Sequence, residues 1–227
     1  MKSTHPLDRP IWSALTTRQA HLAQGDDHAL RFAPDYGMFA AAADGSEASL
    51  AALAALADCE AGIAVVEADP GPDPPGATVA SKAQVNQMVL VALPPGEVGF
   101  AFEALTDDDA AQMLALATLT RPGPFFARTH QLGDFIGVKR DGRLVAMAGE
   151  RMKPQGFTEV SGVCTHPDHR GHGYAGGLSR IVTARIVARG ETPFLHVYAS
   201  NTGAIGLYQT LGFALRRELT MTVLVGR

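Results

Sequence analysis

The sequence predicts an α/β protein built on a mixed sheet, and three observations carry that expectation. Apolar runs of strand length alternate with helix-length segments through residues 97–227, the pattern of one sheet covered by helices. Asp141-Gly142 joins FIGVKR to RLVAMAGERM, a turn pair that predicts an antiparallel hairpin. Glu159 to Thr165 reads as a buried strand that runs through a short polar loop into a glycine-rich turn and a helix ending near Arg189.

Taken in order, residues 12–24 carry helical spacing through Trp12, Leu15 and Leu22, and Gly25 ends them. Ser46 is placed to cap EASLAALAALADCE, whose leucines at 50, 53 and 56 share a face. Gly62 to Val66 and Gln87 to Leu93 are short strands, separated by DPGPDPPG, which can be neither helix nor central strand. Pro94-Pro95-Gly96 then breaks the chain. The expected division is a smaller α/β domain of unassigned role over residues 1–95 and a second domain over 96–227.

Beyond the break, Phe100 to Leu105 predicts a strand. Thr106 with three aspartates caps a helix through AAQMLALATL with acid at its positive end. Pro122 and Pro124 interrupt, and a short helix is expected over Arg128 to Leu132. The hairpin, the strand from Glu159 and the glycine-loop helix follow. Phe194 to Ala199 is a strand, Asn201 to Leu211 a helix, and Leu219 to Val225 the closing strand.

Composition narrows the function. Hydrophobic residues make up 46% and charged residues 19%, a globular balance. The net charge of −4 offers no basic footprint, so nucleic acid is not an expected partner. Two cysteines, Cys59 and Cys164, are too few for a disulfide framework and fit a reducing cytoplasm. No apolar run approaches the roughly 18 residues of a membrane span, and the first ten residues lack the apolar core of a signal peptide.

A glycine-rich turn opening a helix suits a phosphate, because first-turn N–H groups lack intrahelical partners and carry partial positive charge. Gly171-His172-Gly173-Tyr174-Ala175-Gly176 matches the dinucleotide pattern G-x-G-x-x-G. That pattern also wants an acid ending the next strand, whereas Glu191 precedes FLHVYA, and THPDHR separates strand and turn too widely. A nicotinamide or flavin oxidoreductase is therefore disfavoured.

Arg170-x-x-Gly173-x-Ala175 instead resembles the pyrophosphate loop of the GNAT superfamily of N-acetyltransferases. VCTHP resembles that family's coenzyme A strand, and Asn201, Ala204, Leu207, Tyr208, Leu211, Gly212 and Phe213 match its N-x-x-A-x-x-L-Y-x-x-L-G-F motif. The resemblance implies a mixed, mostly antiparallel sheet flanked by helices. Residues 1–95 would be a degenerate half of the same fold, as in the glycine N-acyltransferases. It implies acetyl transfer from acetyl-CoA to a primary amine of a small molecule or amino acid, without a metal, and leaves a homodimer open. A module that holds an acyl-CoA without turnover is the alternative.

On that resemblance, Val163, Cys164 and Thr165 would pair with pantetheine through the main chain. Arg170, Gly171, His172, Gly173, Tyr174 and Ala175 would wrap the pyrophosphate, and Asn201 would bond the pantetheine arm. Tyr208 would be the general acid, since an ordinary phenol is protonated at neutral pH. Glu159 is the first choice of base, from its match to the glycine N-acyltransferases, and His196 the second. Plainer readings stand beside these: Tyr208 as a packing aromatic, Glu159 as a solvated strand-end charge, His196 as a hydrogen-bonded core residue. His166, His169 and His172 lie in a proline-broken loop with nothing to converge them on a metal, and Cys164 suits a small core residue better than a nucleophile. Gly176 and Gly177 depart from the usual pattern, each costing about 1 kcal/mol against alanine in a helix.

Overall fold

A single eight-stranded sheet draws strands from both halves of the chain in this computed structural model, which describes residues 5–226. The elements are α1 (Pro10–Leu15), β1 (Ala23–Gly25), β2 (Ala29–Phe32), β3 (Ala40–Ala42), α2 (Glu47–Leu56), β4 (Ile63–Glu67), β5 (Ala77–Leu90) and β6 (Glu103–Leu105). Then come α3 (Ala110–Thr120), β7 (Phe135–Arg140), β8 (Arg143–Glu150), β9 (Phe157–Thr165), α4 (Tyr174–Ala188), β10 (Thr192–Tyr198), α5 (Thr202–Thr210) and β11 (Phe213–Gly226). The main sheet has the order β4-β11-β5-β10-β9-β8-β7-β6, and β1 to β3 form a small sheet of their own. Only β9 and β10 run parallel among its described neighbours; the mixed, mostly antiparallel architecture is the one expected.

Several predicted boundaries are reproduced because local chemistry sets them. Ser46 accepts from the Ser49 N–H and starts α2, and Thr106 and Asp109 form a reciprocal capping box before α3. Asp141 and Gly142 both have positive φ, 51° and 74°, which matches the twist of a two-residue hairpin. The N-terminal half departs further. The helix expected over 12–24 is only the six-residue α1, and the strand expected from Gln87 begins ten residues earlier at Ala77. Residues 77–84 are largely exposed and mix polar residues with alanine, so they lack the strong apolar alternation that marks a half-buried strand.

That longer β5 changes the domain picture. It lies between β10 and β11, pairing antiparallel with both, so the break at Pro94-Pro95-Gly96 separates two segments of one sheet. One face carries Met88, Leu195 and Val197 against Leu178 and Val182 of α4 and Tyr208 of α5. The other packs Val85, Phe194 and Leu219 under Leu7, Ile11 and Phe32. Each such burial is worth about 1.5–3 kcal/mol, and here it ties the first forty residues to strands from the last forty.

The glycine pair in α4 has a packing cause. A Cβ on Gly177 would lie 2.5 Å from the Phe100 ring, and one on Gly176 would lie 3.1 Å from the Leu207 side chain. The connection after Pro94 and the helix α5 thus sit directly on the helix backbone.

Gly162 shapes the sheet more strongly. Gly149 opposes Ser161 and Met147 opposes Cys164, so Gly162 and Val163 together face one residue, Ala148. With φ of 64° at Gly162, this is a bulge of the glycine type, which bends its strand and increases twist. The bend falls just past the last paired residue between β9 and β10, Glu159 opposite Phe194. The two parallel strands therefore part company beyond Glu159. Substituting Gly162→Ala forces a left-handed conformation and sets a Cβ 2.7 Å from the Phe135 ring; the expected loss is about 2–4 kcal/mol, read from denaturant melts.

Candidate active site

Two connected recesses lie where β9 and β10 diverge. The first is a groove between Val163–Thr165 of β9 and residues 169–176, closed on its other sides by Arg121, Asn201 and Leu207. Every predicted coenzyme-binding residue, from Val163 through Ala175 and Asn201, lines it. Gly171 and Gly173 have φ of 82° and 74°, and a Cβ on either would meet nothing within 4 Å. These glycines serve a left-handed backbone and leave open room above the first turn of α4, where the helix N–H groups are free. The Thr165 hydroxyl is buried against this groove without a hydrogen-bond partner. A pyrophosphate with a hydrogen-bonding arm fits that set of donors.

Cys164 lines the same groove. Burial pushes its thiol up to about 11, opposed by a hydrogen bond with Thr120, so it is not an activated nucleophile. Asn201 caps α5 by accepting from Ala204 N–H through Oδ1 at 3.1 Å, which leaves its amide N–H groups for a ligand. His166 and His169 stack edge to face at 5.7 Å, and among the described residues no cluster of three or more metal-ligating side chains forms.

The second recess, of about 160 Å³, is the slot between the diverging strands. Phe39, Val66, Val85, Met152 and Met221 make its apolar wall, and Arg121, Arg151, Ser161, His196 and Tyr208 its polar lining. Tyr208 is buried, and its phenol is pushed up to about 12 by desolvation, by the charge on Glu159 and by Cys164. It is therefore a neutral hydroxyl throughout the physiological range.

Glu159 does not reach the slot. It is fully buried, and four donors occupy its two oxygens. Arg151 Nη2 at 2.8 Å and His196 Nδ1 at 2.8 Å bond Oε1; Arg151 Nε at 2.9 Å and Met152 N at 3.3 Å bond Oε2. A carboxylate has about four lone-pair sites, so none is left for an amine proton. Burial alone would raise its pKa, but the Arg151 charge and the hydrogen bonds from His196 and Arg151 overcome that and hold it well below the usual carboxylate range. Glu159, expected as the first choice of base, is in this arrangement a buried, fully hydrogen-bonded carboxylate set back from the slot.

His196 is engaged on both ring nitrogens. Gln87 donates to the Leu7 carbonyl at 2.8 Å, and its Oε1 accepts from Arg216 at 2.8 Å, which fixes the amide orientation. The remaining Gln87 N–H then points to His196 Nε2 at 3.1 Å, so the ring proton sits on Nδ1 facing Glu159. Both ring nitrogens of His196 are thus engaged by protein partners while the ring borders the slot. Sequence reasoning missed the partners Arg151, Gln87 and Arg216, because nothing local marks side chains that converge from separate strands.

The comparisons fit this geometry. The FR47-like protein family matches residues 135–222, which hold the sheet from β7 onward and both glycine-loop and tyrosine motifs. No curated protein matches. A crystal structure described as an acetyltransferase from the GNAT family of Novosphingobium aromaticivorans is 46% identical, covers 99% of this chain and 100% of its own, and superposes with a TM-score of 0.92. GCN5-related proteins from Kribbella flavida (19% identity, TM-score 0.66, 96% of this chain and 95% of that one) and Streptococcus suis (16%, 0.60, 95% and 92%) share the fold. The cleft and its neighbours define an acyltransferase-type protein. The chain belongs to the GNAT family of acetyltransferases.

The buried carboxylate yields a pH prediction. Because its folded pKa is depressed, Glu159 contributes stability that is complete above the unfolded carboxyl value near 4.5 and is lost as pH falls below it. Glu159→Gln should cost about 3–5 kcal/mol at neutral pH by leaving Arg151 uncompensated. It should also flatten the acid side of the stability curve below pH 4.5, measured by urea unfolding across pH.

Proposed function

We propose that this protein transfers an acetyl group from acetyl-CoA directly to the amine of a small molecule or amino acid. The supporting observation is the pair of recesses at one sheet defect: a helix N-terminus with open glycine turns on one side, and a slot with a neutral buried phenol on the other. When bound, acetyl-CoA supplies the activated acyl thioester. The groove residues Arg170 to Ala175 hold its pyrophosphate, main-chain groups of Val163 to Thr165 and the Asn201 amide hold its arm, and the slot receives the acceptor.

Tyr208 gives its proton to the departing sulfur. A phenol near 12 looks too weak an acid for an ordinary thiolate, but burial acts on sulfur as well. The neighbouring Cys164 thiol is raised by the same cause, so a thiolate departing beside it is also made more basic and readier to take the phenol's proton. Glu159 and His196 act as positioning residues: they hold Arg151 and the slot floor between β9 and β10. The ammonium ion gives its proton to solvent water as it enters, since the slot has no acidic lining to hold it and desolvation favours the neutral amine. After attack the remaining N–H proton passes to the Tyr208 phenolate, so the amide and the free thiol leave a neutral phenol.

Calorimetry should find acetyl-CoA binding in the micromolar range, and no binding would end this reading. Tyr208→Phe should lower kcat by about 10²–10⁴-fold at unchanged acetyl-CoA affinity; no effect on turnover would favour a non-catalytic acyl-CoA sensor. The acid limb of kcat/KM should move with the pKa of whichever amine is supplied. A limb fixed near the ordinary histidine value of about 6.5 for all amines would return the base role to His196.

A further inference from the structure

The charge of the slot bears on what the acceptor is. Its charged lining consists of Arg121 and Arg151, without an aspartate or glutamate. The Arg151 charge is balanced by Glu159 behind it, and its guanidinium lies 4.6 Å over the Phe39 ring. Arg121 is exposed and enters no ion pair among the described residues. The slot therefore carries one uncompensated positive charge at its mouth and an apolar wall within.

Arg121 is also held in an unusual backbone state. It ends α3 with φ of 51° and ψ of 57°, and its N–H donates to the Ala117 carbonyl. Glycine is the common residue at such a helix end, because a side chain in the left-handed region costs energy. Apart from Asp141 in the hairpin turn, no other non-glycine residue among the described ones has positive φ. A strained backbone retained with a long cationic side chain at the junction of two recesses points to use of that side chain.

We propose that the acceptor is an amino-carboxylate with an apolar body, its carboxylate received by Arg121 and its apolar part by Phe39, Met152 and Met221. This deepens the acetyltransferase reading and rests on it. Arg121 also borders the coenzyme groove, so a phosphate of the coenzyme is the other source of anion. The groove already offers the glycine turns and the α4 N-terminus to that phosphate, which favours the acceptor as the partner of Arg121. Polyamines find a like charge here and nothing to pair with.

The test compares L-phenylalanine and L-leucine with phenethylamine and isoamylamine, which lack only the carboxylate, and with spermidine, using acetyl-CoA and thiol release. The amino acids should exceed their decarboxylated counterparts in kcat/KM by about tenfold or more. Arg121→Gly should abolish that preference through KM while leaving acetyl-CoA affinity unchanged and the melting temperature equal or higher, because glycine relieves the left-handed strain. Equal or better turnover of the plain amines or spermidine would overturn the proposal. So would an Arg121→Gly variant that loses acetyl-CoA affinity and keeps its acceptor preference, or acetyl-CoA binding with no amino acid accepted. Failure to bind acetyl-CoA at all would instead overturn the acetyltransferase reading beneath it.

Discussion

The buried carboxylate of Glu159 is where this fold is tied together. From it, hydrogen bonds run to Arg151 after β8, to His196 on β10, on to Gln87 of β5 and Arg216 of β11, and finally to Leu7 and Asp8 at the start of the chain. Burying a charged group is expensive, and such networks add little net stability over apolar packing. What this one supplies is register. Each strand has one position that satisfies the network, so the four are locked side by side at the point where β9 and β10 begin to diverge.

Divergence needs a cause, and the bulge at Gly162 provides it. Two parallel strands left to pair would close the cleft; one extra residue in β9 turns it away from β10 immediately after the Glu159 anchor. The anchor holds one end closed and the bulge opens the other. The groove beside the glycine turns and the slot beside His196 follow as the two sides of the same opening, with Tyr208 of α5 buried against the slot.

The strands of the C-terminal half were readable because each carries its own signal: a turn pair, an apolar run, a cap. Their motifs also marked residues that line one groove, since a glycine turn depends on residues close together in the chain. β5 was not readable in full. Its first half is largely exposed and rich in alanine, with no strong apolar alternation, and β11 supplies it a partner along its whole length. The small sheet of β1 to β3 likewise consists of strands three to four residues long, too short for periodicity to detect. Gly162 was visible as a glycine inside a strand, a signal for a bulge that could have been taken up.

Sequence by itself determined the class of sheet, the helix and turn boundaries set by Ser46, Thr106 and Asp141-Gly142, the glycine turn at the start of α4, and the tyrosine on α5. All of these are local: the residues that act together lie within a few positions, so spacing reveals them. Only the tertiary structure decided the state of Glu159 and His196. Whether a carboxylate is a base or an anchor depends on how many donors reach it, and its donors come from Arg151, Met152 and a histidine 37 residues away. The same holds for Arg121, ordinary in sequence and set by the fold at the mouth of an apolar slot with no acid to balance it.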